Sequence, residues 1–269
     1  MVLYSFHLFA GGGGGILADQ LLGHRVIGAV EIEAYPRRIL LARQLDGILL
    51  RFPIWDDVTT FRYDNPECTN YIERLRGIAD NLIICGGFPC QDISAAGKGA
   101  GITGQRSGLW KEFARIVGEV RPAYVFVENS PMLVVRGLGT VLGDLASIGY
   151  DAQWDRLSAA YVGANHLRKR IWIFAFDTHN GYAYRGRFGC GQSKNIIQRA
   201  ISKNNKERHR WQHELGAIDA AERFSSYTDA LRILHGIPDR MDRLAALGNA
   251  QVPIVAATAF TQLTNSYNL

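Results

Sequence analysis

The chain has 269 residues, 47% of them hydrophobic, which fits one large α/β domain or a domain with a small appendage and supplies enough apolar surface for a buried core. Thirty Lys and Arg against 25 Asp and Glu give a formal charge of +5, which permits a polyanionic partner without requiring one. No stretch reaches a membrane-spanning length without charge, and the N-terminus lacks a basic region and a cleavage site, so a cytoplasmic protein with no membrane partner is expected.

In chain order, short β-like runs alternate with longer helix-compatible stretches, the pattern of a Rossmann-like, mostly parallel sheet with helices on both faces. Leu3 to Leu8 reads as a strand, followed by a five-glycine turn, Gly11 to Gly15, and a helix from Ile16 to Leu22. Val26 to Val30 reads as a second strand, ending in Glu31, before a helix from Tyr35 to Leu45. Further strands are expected at Asn81 to Cys85, Ala123 to Val127, Ala152 to Leu157 and Ile171 to Phe176, with helices near Leu109 to Val120 and Leu138 to Ile148. After Asp177 the rhythm stops. Residues 178–225 are polar, glycine-bearing and basic, and read as a small irregular lobe between a main domain, 1–177, and its return, 226–269, where an apolar helical pattern runs from Val252 to Leu263. Between Thr178 and His213 eight basic residues face the single acid Glu207. This suits a phosphate-facing segment or, equally, a solvated loop.

Five local features carry chemistry. The glycine turn lies between strand and helix, where the backbone can approach a ligand closely and the helix start offers amide groups; a tight turn is the competing reading. Glu31, about twenty residues on, stands where an acid accepts hydrogen bonds from ribose hydroxyls. Cys90, in Gly86-Gly87-Phe88-Pro89-Cys90-Gln91, lies on a loop past a strand, whereas Cys85 sits within the apolar run and reads as core. Glu128 ends the run Ala123 to Val127, again at a strand's carboxyl end, with a capping or ion-paired role as the alternative. Arg168 and Arg170, two apart in an extended segment, share a face and suit an oxygen-rich ligand or a basic sheet edge. The four cysteines, Cys68, Cys85, Cys90 and Cys190, form no C-x-x-C pair, and neither a metal site nor a disulfide framework is expected.

Taken together these residues resemble the C5-cytosine DNA methyltransferases, which use S-adenosylmethionine. Phe9-Ala10-Gly11-Gly12-Gly13-Gly14 is similar to the family's cofactor loop, Glu31-Ile32-Glu33 to its ribose-binding acid, and Asp56-Asp57-Val58 to its adenine-contacting segment. Gly86 to Ser94 matches the nucleophile loop, Arg106 to Trp110 the segment after it, Glu128-Asn129-Ser130 the Glu-Asn-Val motif, and His166 to Arg170 the Gln-x-Arg-x-Arg motif. Arg243 to Pro253 matches the final motif, which completes the cofactor pocket. His7, Ser130 and His166 depart from the usual acid, valine and glutamine, which leaves local hydrogen bonding open but removes no catalytic group.

The resemblance implies that Phe9, Gly11, Gly13, Gly14, Glu31, Ile32, Asp57, Val58, Pro89, Leu109 and Asn249 hold the cofactor. It implies a covalent route in which Cys90 adds to cytosine C6, Glu128 contacts N3 and the exocyclic amine, and Arg168, with Arg170, holds the base oxygen or supports ring charge. The target base must leave the stack, and the glycine-bearing loop Ser94 to Ser107 is a candidate to close over it. Gln91, Ser94 and Arg106, with Arg185, Arg187, Lys194, Lys203, Arg208 and Arg210 of the basic lobe, are the expected contacts to double-stranded DNA. A monomer, with pairing to a restriction endonuclease open, is the expected state; RNA cytosine methylation and an idle DNA-binding role are the alternatives.

Overall fold

The computed structural model describes residues 2–89, 107–164, 166–179 and 250–265. Seven strands form one sheet: β1 (Tyr4–Leu8), β2 (Arg25–Val30), β3 (Ile54–Trp55), β4 (Leu82–Gly86), β5 (Tyr124–Asn129), β6 (Tyr150–Ser158) and β7 (Lys169–Asp177), in the spatial order β3-β2-β1-β4-β5-β7-β6. The first five run parallel, and β7 is antiparallel to both β5 and β6. The reversal follows from connection length. Only the short turn Ala159–Val162 and a few further residues join β6 to β7, whereas a parallel pair needs a crossover of a dozen or more.

Every residue of β4 and β5 is buried, because helices cover both faces and a central strand must be apolar on each. On one face lie α3 (Pro66–Gly77), α4 (Trp110–Val120), α5 (Leu133–Arg136) and α6 (Leu138–Ser147); on the other lie α1 (Gly14–Leu22), α2 (Ala34–Leu45) and α7 (Pro253–Asn265). The face of α4 that carries Trp110, Phe113, Ile116, Val117 and Val120 is buried at helical spacing. In α7 the buried threonines Thr258, Thr261 and Thr264 donate to the carbonyls of Ile254, Ala257 and Phe260, four residues back, so their hydroxyls are satisfied inside the apolar layer. Edge strand β6 exposes Asp151, Asp155 and Arg156, charges that discourage pairing with another strand.

The expected strands and helices are present with ends shifted by a residue or two. Three elements were not anticipated, the single turn α5 among them. Strand β3 is only two residues long and gains its place by pairing with Ala29 and Val30. Helix α3 had readable signals: Asn65 accepts from the Glu67 amide at 3.1 Å, Pro66 opens the helix, and Cys68, Ile72 and Leu75 form its buried stripe. The lobe expected at 178–225 and the return from 226 to 249 lie outside the described residues, apart from Thr178 and His179.

Candidate active site

The strand order reverses at β1, whose neighbours are β2 and β4, and open α/β sheets bind ligands at the carboxyl ends flanking such a point. The glycine turn leaves β1 there. Gly13 takes a φ of +90° and caps α1, and a β-carbon on it would lie 2.9 Å from Leu40 Cδ2; both reasons favour glycine. Phe9 itself has a φ of 54°.

Glu31, just past β2, is buried and tied to this turn. Its carboxylate accepts from the Gly11 amide at 2.6 Å and from the Glu33 amide at 2.8 Å. Burial pushes its carboxyl above the ordinary range, against the lowering effect of those two amides. Ile32 beside it is 61% exposed, an apolar side chain open at the sheet's ligand end. Asp57 caps its own turn, accepting from the amide and hydroxyl of Thr59, each at 2.8 Å. Val58, which the resemblance assigns to the cofactor site, turns its side chain into the core, and its carbonyl accepts from Arg115 of α4 at 3.1 Å. The apolar side chain is better buried beneath the turn than left beside it.

The loop expected to carry the nucleophile leaves β4 beside β1. A β-carbon on Gly87 would stand 2.6 Å from Glu128 Oε2, so the loop lies directly on that carboxylate. Phe88 is buried against Trp110, with ring centroids 5.3 Å apart, and its carbonyl accepts from Asn129 Nδ2 at 3.1 Å. Half-buried Pro89 ends this described stretch, and Leu109 packs on the core at the next. Cys90, Gln91, Ser94, Arg106, Arg185, Arg187, Lys194, Lys203, Arg208, Arg210 and Asn249 lie outside the described residues.

Glu128 is buried at the carboxyl end of β5, opposite Trp172 of β7. Because β7 runs backwards, its first residues meet this end of β5, and Arg170, two before Trp172, faces Glu128 diagonally. Arg170 Nε lies 2.5 Å from Glu128 Oε1. Arg168, expected to be the principal arginine, donates from Nη2 to the Ala250 carbonyl at 2.5 Å, while its charge also acts on Glu128. Burial raises the Glu128 carboxyl above its ordinary range, although Arg170, Arg168 and a hydrogen bond from Gln251 pull it down.

Behind the site, His7 Nε2 meets Asp19 Oδ2 at 2.6 Å, and His24 Nδ1 meets Asp19 Oδ1 at 2.8 Å, all three side chains being buried. Burial would raise the Asp19 carboxyl, but the two imidazoles hold it well below the usual range. Cys85 lies with His7 and Asp19, the ligating atoms of the three falling within 4.8 Å of one another, and burial pushes its thiol well up, as suits a core cysteine. Sequence reasoning did not single out Asp19, Arg115 or Gln251; Arg115 and Gln251 reach carbonyl or carboxylate partners more than 50 residues away in the chain.

The strand order and the loops at its reversal define a doubly wound α/β protein of the Rossmann-like class. Residues 4–232 match the model of the C-5 cytosine-specific DNA methylase family, and the chain belongs to that family. It is 32% identical over 178 residues to the Type II methyltransferase M.CviJI of Paramecium bursaria Chlorella virus IL3A, covering 65% of this chain and 43% of that protein. With M.Sau96I of Staphylococcus aureus it shares 27% identity over 202 residues, covering 70% and 42%. The fold is similar to that of an E. coli prophage-encoded protein described as a DNA modification methyltransferase, with a TM-score of 0.51, 21% identity, and coverage of 66% of this chain and 48% of that one. The matched region spans less than half the length of these curated relatives. Among the described residues no helix is long and apolar enough to cross a membrane.

Proposed function

We propose that the chain transfers a methyl group from S-adenosylmethionine to C5 of cytosine in double-stranded DNA, through a transient bond between Cys90 and C6. The observation that supports this most is the pairing of buried Glu128 with half-buried Arg170 at the end of β5, with the glycine loop that leads to Cys90 packed on the carboxylate.

The residues present fit the cofactor. Glu31 keeps unused lone pairs on both oxygens for ribose hydroxyls, and exposed Ile32 offers an apolar face to an adenine ring. Phe9, Gly11, Gly13 and Gly14 bring backbone close; Asp57, the backbone of Val58, Pro89 and Leu109 border the same end of the sheet, and Asn249, outside the described residues, is assigned to the cofactor by its motif alone. When bound, S-adenosylmethionine supplies an electrophilic methyl group.

Cytosine C5 is too weak a nucleophile to take that methyl unaided. The Cys90 thiolate adds to C6, and the electron pair released onto the ring makes C5 nucleophilic. Glu128, its carboxyl raised by burial, shares a proton at N3 and accepts from the exocyclic amine, so charge does not build on the ring. Arg170 holds Glu128 in place and, with Arg168, supports the developing charge. After C5 takes the methyl it loses its proton, the ring double bond reforms, and Cys90 is expelled.

DNA carrying 5-fluorocytosine tests the route, since fluorine cannot leave as a proton does. Incubated with S-adenosylmethionine, the protein is expected to give a denaturation-stable adduct that Cys90→Ser does not form. An active protein without an adduct would refute the covalent step. Target choice is assigned to the basic segment 178–225, and pairing with a restriction endonuclease in a cytoplasmic modification system fits the Type II names of the relatives.

A further inference from the structure

We infer that the side-chain amide of Gln251 positions Glu128, locking the carboxylate that meets the base to the glycine turn that meets the cofactor. The inference rests on the reading of Glu128 as the base-contacting group.

Gln251 lies on the short segment that enters α7, between three glycines from distant parts of the chain. A β-carbon on Gly14 would overlap its backbone carbonyl. One on Gly15 would stand 2.6 Å from its Oε1, and one on Gly87 would stand 3.4 Å from its Nε2. Glu128 Oε2 lies 2.6 Å from that same Gly87 position, and the Gln251 amide donates to the Glu128 carboxylate. The amide therefore faces Glu128 with its donor and the start of α1 with its acceptor. A neutral group with both capacities is what these two surroundings require. Its other neighbours are the buried His7 and Asp19, which with Gly15, Cys85 and Gln251 line a small enclosed pocket. The preceding carbonyl, of Ala250, takes the Arg168 guanidinium. Segment 250–252 thus fixes both a carboxylate and an arginine of the proposed base site while packing on the turn of the proposed cofactor site.

Glu128 is held from three directions: by Arg170 and Arg168 of β7, by Gln251, and by the packing of Gly87. Arg170 supplies most of the charge, and Gln251 adds a neutral, directional donor. Removing the amide donor leaves the pair free to rotate about Arg170, so the loss falls on turnover rather than on binding of either substrate.

The test is Gln251→Met, which keeps length and removes the donor, with Gln251→Glu as a second variant of the same shape. Two readouts are used: steady-state methyl incorporation into DNA, and the titration midpoint of the Glu128 carboxyl followed by 13C NMR, its signal assigned by its loss in Glu128→Gln. Gln251→Met is expected to lower kcat about 10- to 100-fold, the worth of one hydrogen bond to a charged group, with KM for DNA and for S-adenosylmethionine within about twofold of wild type, and to raise the Glu128 midpoint. Gln251→Glu is expected to raise the midpoint further, through like charge, and serves should the methionine variant fail to fold. An unchanged midpoint overturns the contact whatever the activity. A raised midpoint with unchanged kcat overturns the positioning role. A wild-type protein inactive on DNA would refute the proposed methyl transfer, and the midpoint would still decide whether Gln251 holds Glu128.

Discussion

Replacing Gly87 by alanine probes the candidate site with one carbon. Its backbone lies outside the left-handed region, so alanine is acceptable there in φ and the whole effect comes from what the new methyl meets. It would stand 2.6 Å from Glu128 Oε2, where an ordinary contact begins near 3.4 Å, so the carboxylate or the loop must move by about 0.8 Å, the difference between the two. Glu128 cannot retreat easily, being buried and held by Arg170, and the loop is pinned through Phe88, in the core and bonded to Asn129. Overpacking of this kind destabilises by about 1–3 kcal/mol, and misplacement of a catalytic group by ~1 Å lowers turnover by about 100-fold. Gly87→Ala is therefore expected to remain folded, melt a few degrees lower, and lose about 10- to 100-fold in kcat for methyl incorporation. Gly118→Ala is the control: nothing lies within 4 Å of its β-carbon position in α4, and it should stabilise by roughly 0.4–1 kcal/mol with unchanged kcat. Wild-type kcat in Gly87→Ala would refute the packing of this loop against the carboxylate.

Arg170→Met should destabilise the fold by about 1–3 kcal/mol in urea melts, because buried Glu128 loses its nearest cation and keeps only Arg168 and Gln251. Adding Glu128→Gln should recover much of that loss without restoring activity, and a double variant no more stable than the single one would contradict the pairing. Asp19→Asn should also destabilise by about 3–5 kcal/mol, since the buried His7 and His24 both lose an anionic partner. Because the Asp19 carboxyl is lowered in the folded state, its contribution is fully present above the ordinary value of 3.8 and disappears as pH falls through the depressed one. Denaturation at a series of pH values should accordingly show the gap between wild type and Asp19→Asn closing only in acid, and a gap that closes near neutrality would contradict the pairing.

Much of the framework was legible in the sequence because central parallel strands, covered on both faces, must be apolar throughout. The runs at β2, β4 and β5 declare themselves in that way, and the residues that break the pattern at their carboxyl ends, Glu31, Gly87 and Glu128, mark where a ligand approaches. The stripe of α4 and the glycine turn before α1 are equally local. Strand β3 was not legible, since two residues carry no period; it exists only through pairing with β2.

Tertiary structure decided which of these groups touch. Local pattern reports burial and period but carries no information on strand direction, and the reversal of β7 is what brings Arg170 onto Glu128; in a parallel strand its first residues would stand at the far end of the sheet. The same pattern could not distinguish Val58 facing the core from Val58 facing a ligand, nor foresee Asp19 as partner to His7. Least visible was Gln251, whose place depends on the absence of side chains at Gly14, Gly15 and Gly87, more than 160 residues away in the chain. Residue types, set by the sequence, determine what chemistry is available; only packing, which joins positions that no spacing relates, determines which donor meets which acceptor.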